Sequence, residues 1–190
     1  MATTIGVLAL QGAVAEHVRV LEALGAQARE VRRVEDLADV SGLVIPGGES
    51  TAMARLAAGS GLFPTIRRRI EAGTLAVLGT CAGLILLSDR VEPEGSLPST
   101  IGGLAITVTR NGYGGQLASF EATLMIGGQP FRAAFIRAPR ITAVAPNVRV
   151  LASHQGEAVV VESKKLVAAT CHPEITGETA LHERLLQLAS

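Results

Sequence analysis

The spacing of apolar residues changes character near the middle of this chain. In the first half, short apolar runs typical of buried strands alternate with segments whose apolar residues recur at helical spacing. Repeated strand–helix units with short connections predict a parallel sheet covered by helices on both faces. The predicted strands are 5–10, 28–31, 43–45 and 75–78, and the predicted helices are 13–24, a helix capped by residue 50 or 51 that runs to 56, 62–72 and 82–87.

The second half carries a series of short β runs separated by turn signals such as Gly127-Gly128. We expect these strands, between residues 104 and 170, to be antiparallel. Residues 92–103 are rich in Pro, Gly and Ser and are predicted to form a surface loop. The predicted strands are 105–109, 122–126, 132–136, 148–152, 158–162 and 166–170, followed by a final helix over 179–188.

Composition narrows the classes of function. The 190 residues are 48% apolar and 18% charged, which predicts one folded domain over residues 1–190. Lys+Arg and Asp+Glu are equal at 17 each, and aromatic residues make up 3%, so a nucleic-acid partner is not expected. No apolar run approaches the roughly 18–20 residues of a membrane span. Without a signal-peptide pattern, the predicted location is the cytoplasm, away from the membrane.

Two cysteines are too few for a disulfide framework, and no spacing typical of a zinc site occurs. We therefore expect no metal and no cofactor. The cysteines differ in context: Cys171 is expected to be an inert core thiol, whereas Cys81 lies in a motif with chemical meaning.

Cys81 is the centre of the pentapeptide GTCAG at residues 79–83, between a predicted strand and a predicted helix. A Gly-x-nucleophile-x-Gly turn at that place is the nucleophile elbow, in which glycines leave room for a tight strand-to-helix turn. The positive end of the following helix favours the thiolate, which is the reactive form. The amide of Ala82 would face the developing oxyanion. The pentapeptide alone is equally compatible with a buried structural cysteine.

A thiolate nucleophile needs an acid/base partner, and His172 with Glu174 can supply one. Pro173 favours an extended backbone at His172, and residues i and i+2 of an extended segment point the same way. Glu174 would then orient the imidazole. Alone, this tripeptide is more simply a surface turn; together with the elbow, it favours a catalytic pair.

The segment PGGEST at residues 46–51 follows a buried strand and opens a helix. Consecutive glycines allow backbone amides to turn towards an anion. A phosphate cradle is one interpretation, but no Lys follows as in a P-loop, so a second oxyanion-hole amide and substrate clamp is preferred. Arg110 and Arg137 follow strands, and either could form a structural ion pair or hold a substrate carboxylate.

The remaining histidines receive non-catalytic interpretations. His154 and His182 are predicted to lie on the surface. His17 lies on the first predicted helix, opposite its apolar stripe, so solvent or an interface could surround it.

Taken together, these motifs resemble class I (triad) glutamine amidotransferases, and within them the family of glutaminase subunits of pyridoxal 5′-phosphate synthase. The resemblance covers almost the whole chain. The elbow and the His-x-Glu pair are shared by the wider superfamily, whereas LQGA, GGEST and IRAP narrow it to this branch. The matching segments are 6–13, 16–17, 46–51, 79–84, 119–122, 135–139 and 172–174.

The resemblance implies a three-layer, flavodoxin-like α/β sandwich, with a mostly parallel central sheet flanked by helices and an antiparallel β extension. It implies a catalytic triad of Cys81, His172 and Glu174. The implied glutamine-binding residues are Gly48, Glu49, Ser50, Arg110, Ile136 and Arg137. The implied oxyanion hole consists of Gly48, Ala82 and Gln11, with Gln11 helping to arrange it when a partner docks.

The implied reaction is hydrolysis of L-glutamine to L-glutamate and ammonia, the ammonia passing to a (β/α)8-barrel synthase subunit that makes pyridoxal 5′-phosphate. Many copies of the glutaminase would bind a dodecameric synthase core. One departure from the family pattern is Gly112-Tyr113, where Ser-Phe is more usual, and it leaves the reaction unchanged. The alternatives are a glutaminase of another class I amidotransferase, such as imidazole glycerol phosphate synthase, or a catalytically silent binding or regulatory relative. A DJ-1-like thiol protein fits the motifs poorly.

Overall fold

The computed structural model describes residues 3–110, 112 and 119–190. The strands are β1 Thr4–Leu8, β2 Gln27–Val31, β3 Gly42–Ile45, β4 Ala76–Thr80, β5 Ser88–Glu92, β6 Leu104–Thr109, β7 Phe120–Ile126, β8 Gln129–Phe135, β9 Arg140–Val144, β10 Arg149–His154, β11 Glu157–Ser163 and β12 Leu166–Ala169. The helices are α1 Val14–Ala23, α2 Ser50–Ala57, α3 Leu62–Glu71, α4 Ala82–Leu87, α5 Pro173–Thr176 and α6 Ala180–Ala189, and a 3-10 turn spans Val34–Leu37.

A seven-stranded sheet in the order β10-β11-β12-β4-β3-β1-β2 forms the centre of the molecule. Strands β12, β4, β3, β1 and β2 pair in parallel, and β10 and β11 extend the sheet in antiparallel fashion. Every residue of β3, β4 and β12 is buried, as the unbroken apolar runs predict for strands covered on both faces. The predicted α/β sandwich with an antiparallel extension is confirmed.

The sheet separates two apolar cores. Val77 and Leu43 face the core that α2, α3 and α4 cover together with β6. Ala76 and Leu78 face the other core, which α1, α6 and the β7–β8 hairpin cover. Alternate residues of one strand therefore serve opposite layers, and the carboxyl ends of β1, β3 and β4 open at one edge of the sheet.

Two aspects of the β-rich half differ from the prediction. β12 pairs in parallel with β4, and β5 pairs in parallel with β6, so the strands of this half are not all antiparallel. The strands β5 and β9 were not predicted. In β9 only Ile141 is buried, so the strand lacks the alternating pattern that would identify it; β5 follows α4 directly, without a turn signal between them.

The segment around Pro173 also differs from the prediction. His172 has φ −115° and ψ 87°, and Pro173 begins the short helix α5, which includes Glu174, so the two residues do not lie on one extended segment. Proline is favoured at the first position of a helix because its missing N–H would have no partner there.

Within the described residues, no helix is long and apolar enough to cross a membrane.

Candidate active site

Cys81 joins β4 to α4 in a backbone conformation that L-residues rarely adopt, at φ 47° and ψ −101°. Flanking glycines make the turn possible. A side chain on Gly83 would overlap the carbonyl oxygen of Ile45, and one on Gly79 would lie 2.8 Å from the carbonyl carbon of Gly83. Strain of this kind costs on the order of 1–3 kcal/mol and persists where the surrounding structure enforces it. The turn is a nucleophile elbow in its geometry as well as in its sequence.

The Cys81 side chain opens into a cavity of about 170 Å³ beside α2 and the end of β8. Cys81 is 6% exposed, and its Sγ lies 3.8 Å from the carbonyl oxygen of Ile136, to which the protonated thiol can donate a weak hydrogen bond. The cavity is lined by Gly48, Glu49, Ser50, Cys81, Ile85, Arg110, Ile136, Arg137 and His172. It therefore brings together every residue expected to bind glutamine with two of the expected triad. Ile85, one turn into α4, was not predicted, because an apolar helix residue carries no chemical signal.

His172 and Glu174 form the expected pair: Nδ1 of the imidazole lies 2.7 Å from Oε1 of the carboxylate. The backbone N–H of His172 donates to the carbonyl oxygen of Ala134 at 2.8 Å, which ties the residue to β8. Burial acts to lower the pKa of His172, but its hydrogen bonds to Cys81 and Glu174 outweigh burial and raise this pKa to about 10. At neutral pH the imidazole therefore carries a proton that it can give to a leaving group.

The loop at residues 46–48 is fastened to the segment after β1. The N–H of Ala13 donates to the carbonyl oxygen of Gly47 at 3.0 Å, and Oε1 of Gln11 accepts from the N–H of Glu49 at 2.6 Å. A side chain on Gly48 would overlap Oε1 of Gln11. Gln11 is thus positioned behind the glycine loop. Among the described residues, neither Gln11 nor Ala82 is part of the cavity lining, although both were expected at the oxyanion hole.

The side chain of Glu49 caps the helix that follows it. Its carboxylate accepts from the N–H groups of Thr51 at 3.0 Å and Ala52 at 2.7 Å, and Nη2 of Arg110 donates to it at 3.0 Å. Burial acts to raise the pKa of Glu49, but these N–H donors and the charge of Arg110 hold it below its usual value. The carboxylate therefore orders the amino end of α2 beside the cavity.

Replacing Glu49 with alanine is expected to lower the free energy of unfolding by about 1 kcal/mol, because a helix cap is lost. Chemical denaturation measures this. Arg110→Ala leaves the cap in place and removes the ion pair at the rim of the cavity together with the hydrogen bond from Arg110 to the carbonyl oxygen of Ser96, and we expect it to cost less than Glu49→Ala. An equal cost for the two variants would assign the stabilisation to the contacts of Arg110 instead of the cap.

Arg110 and Arg137 reach the cavity from different elements. Nη1 of Arg110 also donates to the carbonyl oxygen of Ser96 at 2.9 Å, and Arg137 has a positive φ of 49° just beyond β8. Asn111 and residues 113–118 lie outside the described residues, so the expectation that the Gly112-Tyr113 departure leaves the reaction unchanged stays a prediction.

Two of the histidine predictions are wrong. His17 and His182 are each 0% exposed, and they lie behind Glu174, with Nδ1 of His17 2.8 Å from Nε2 of His182. His154 is partly buried beside the rings of Phe120 and Phe135 and is not a fully exposed surface residue. Contacts between distant helices bury these imidazoles, and no local spacing reveals them.

Cys171 is 0% exposed, and burial raises the pKa of its thiol to about 12. This agrees with an inert core thiol. Within the described part of the chain, no group of three or more His, Cys, Asp or Glu side chains is arranged to hold a metal ion.

The chain is similar over nearly its whole length to known proteins. The model of the SNO glutamine amidotransferase family matches residues 7–188. The chain is 48% identical over 181 residues to "Pyridoxal 5′-phosphate synthase subunit PdxT" of Streptomyces avermitilis, covering 94% of this chain and 90% of that protein. It is 47% identical over 196 residues to the protein of the same name from a Nocardioides species, covering 100% and 97%.

Solved structures of similar fold superpose on the chain over nearly its whole length. One described as "Crystal structure of glutamine amidotransferase" superposes with a TM-score of 0.93 at 41% identity, over 97% of this chain and 98% of that one. "Structure of PurLQS from Thermotoga maritima" superposes with a TM-score of 0.72 at 16% identity, covering 100% of both chains, and shows the shared fold alone.

Proposed function

The chain belongs to the SNO glutamine amidotransferase family, and from this premise we propose that it is the glutaminase subunit of pyridoxal 5′-phosphate synthase. It hydrolyses the side-chain amide of L-glutamine to L-glutamate and ammonia, and the ammonia passes to the synthase subunit. The observation that carries the proposal is the elbow cysteine, which opens into a cavity beside an imidazole held 2.7 Å from a buried carboxylate.

In the first half of the reaction, the thiolate of Cys81 attacks the carboxamide carbon of glutamine and forms a tetrahedral intermediate. The negative oxygen is stabilised by the amides of Gly48 and Ala82. The protonated His172 gives its proton to the amide nitrogen, the C–N bond breaks, and ammonia leaves behind a thioester on Cys81. The raised pKa of His172 supports its role as the acid in this step.

In the second half, the now neutral His172 takes a proton from water, and the resulting hydroxide attacks the thioester carbon. The C–S bond breaks, glutamate is released, and the thiolate of Cys81 and the protonated His172 are restored. Glu174 keeps the imidazole in one orientation through both halves. Glutamine and water are consumed, and glutamate, ammonia and the proton that the new carboxylic acid releases are produced, so the atoms and charges balance.

The cavity lining supports recognition of a free amino acid. The guanidinium groups of Arg110 and Arg137 suit the α-carboxylate, since Arg pairs with carboxylates through two parallel hydrogen bonds. The carboxylate of Glu49 is negatively charged and therefore suits the α-ammonium group. Ser50 and the backbone at Ile136 complete the expected substrate contacts.

We propose that the synthase partner is a (β/α)8-barrel subunit and that many copies of this chain bind a dodecameric core. The relatives are named as subunits of pyridoxal 5′-phosphate synthase, which supports a partner of that enzyme instead of another class I amidotransferase. Oε1 of Gln11 accepts from the N–H of Glu49, the residue after Gly48, so a partner that moves Gln11 would free the glycine loop to turn the amide of Gly48 towards the oxyanion.

Ammonia release from glutamine is expected to rise at least about 10-fold when the synthase subunit is added, because a freed oxyanion-hole amide is worth on the order of 10²-fold. A coupled glutamate assay with and without the partner measures this. Gln11→Ala should reduce the difference between the two conditions. Equal rates in both conditions would contradict coupling, and no release in either would favour a catalytically silent relative.

A further inference from the structure

A group of buried polar side chains lies behind the triad, in the sense that it reaches Glu174 without lining the cavity. Nε2 of His17 lies 3.6 Å from Oε2 of Glu174 and 3.2 Å from Oγ1 of Thr80, and its Nδ1 lies 2.8 Å from Nε2 of His182. His17, Thr80 and His182 are each 0% exposed. They come from α1, β4 and α6, so three separate elements meet at His17, which is the member of the group beside the carboxylate that orients His172.

The two carboxylate oxygens of Glu174 differ in their hydrogen bonding. Oε1 accepts from Nδ1 of His172, whereas Oε2 is buried without a hydrogen-bond partner among the described residues. A buried charged oxygen without a donor is costly, and the nearest imidazole nitrogen is that of His17. Such contacts are often long in a free enzyme and tighten when substrate binds.

The hydrogen-bond chain selects one tautomer of His17. If His17 carried its proton on Nδ1, the lone pair of its Nε2 would face the carboxylate, and Nδ1 of the neutral His182 would be a buried N–H with no acceptor. With the proton on Nε2, the N–H of His17 faces Oγ1 of Thr80 at 3.2 Å and Oε2 of Glu174 at 3.6 Å, and its Nδ1 accepts from Nε2 of His182. The unpartnered Nδ1 of His182 is then a lone pair and not an N–H, and the carboxylate faces an N–H, so this arrangement has the lower energy.

We propose that His17 is a positioning residue for the glutaminase reaction: its Nε2–H holds the second oxygen of Glu174, and His182 fixes the tautomer that makes this possible. The carboxylate is thereby held between two imidazoles. It keeps one rotamer while the charge on His172 appears and disappears during the reaction. The inference rests on the proposed glutaminase function.

The lowered pKa values of the two buried histidines indicate that His17 donates its N–H as a neutral imidazole. Burial is the main cause that lowers the pKa of His17 well below its usual value, and the neighbouring His182 and His172 lower it further. Burial also lowers the pKa of His182 to about 4. The titratable groups that face His17 are Glu174 on α5, His182 on α6 and, beyond Glu174, His172. The imidazoles of His17 and His182 therefore stay neutral at pH 7. They stabilise Glu174 without adding a second positive charge that would compete with the protonated His172.

The test compares two replacements of His17 in the complex with the synthase subunit. His17→Leu fills the space without a donor, and we expect kcat to fall about 10–100-fold, as for lost partners of catalytic groups, with little change in KM. The alkaline limb of the pH–rate profile should move to lower pH, because a less well-held Glu174 retains the proton on His172 less firmly. His17→Gln, whose amide can place an N–H near the position of Nε2, should restore most of kcat and the profile.

Controls separate positioning from packing. His154→Gln, a matched change at a histidine outside the cluster, should alter neither kcat nor the pH profile. Equal kcat for the Leu and Gln variants of His17, or an unmoved alkaline limb in His17→Leu, would overturn the inference. In addition, ¹⁵N NMR of the free wild-type protein should show His17 protonated on Nε2; a proton on Nδ1 would overturn it. That spectrum is independent of turnover, so a wild-type complex that released no ammonia would count against the proposed function alone.

Discussion

Replacing Cys81 with alanine is expected to lower ammonia release from glutamine by at least about 10⁴-fold, since removal of a triad nucleophile leaves only the contribution of binding and the oxyanion site. The fold should be retained, because alanine fits the space and tolerates the backbone at φ 47° no worse than cysteine does. The measurement is single-turnover ammonia release in the presence of the synthase subunit, together with circular dichroism.

Cys81→Gly is the matched control for the strained turn. Glycine adopts a positive φ without a steric penalty, so this variant should be inactive yet about 1 kcal/mol more stable than Cys81→Ala. The comparison asks whether the cysteine is held in its conformation at a cost to stability. Turnover that survives in either variant would contradict the nucleophile assignment, and a glycine variant less stable than the alanine variant would contradict the strain.

The elbow could be predicted from sequence because its geometry depends on local residues. Glycines at positions 79 and 83 are needed where the backbone of the turn approaches Ile45 and α4 closely, and the strand and helix on either side have clear apolar patterns. The central sheet could be predicted for the same reason, since β3, β4 and β12 are buried along their whole length.

The group behind the triad could not be predicted in this way. His17 lies on the polar side of α1 by its spacing, yet α5 and α6 cover that side, and His182 meets it from 165 residues away. The pairing of His172 with Glu174 was expected from an extended backbone, but a helical turn beginning at Pro173 brings the carboxylate to the imidazole. In both cases packing between distant elements decides the outcome, and sequence spacing does not record it.

Replacing Gly47 with alanine is expected to lower kcat/KM on the order of 10²-fold, although residue 47 carries no catalytic group. An added Cβ would overlap Cε1 of the His172 ring and lie 2.8 Å from its Nδ1. The ring cannot move away freely, because Glu174 holds it at 2.7 Å and the backbone N–H is bound to Ala134. A displacement of about 1 Å in a catalytic group can cost roughly 10²-fold. Steady-state ammonia release in the complex measures the loss.

A double-mutant cycle shows whether the ring is the cause. Gly47→Ala should lower the free energy of unfolding by about 1–3 kcal/mol in the wild-type background, as overpacking does. In a His172→Ala background the overlapping atoms are gone, so the same change should cost close to nothing, and the coupling between positions 47 and 172 should equal nearly the whole effect. Additive costs would place the clash elsewhere. A strong coupling would show that the glycine loop provides the space in which the catalytic imidazole sits, and that this requirement excludes a side chain at position 47.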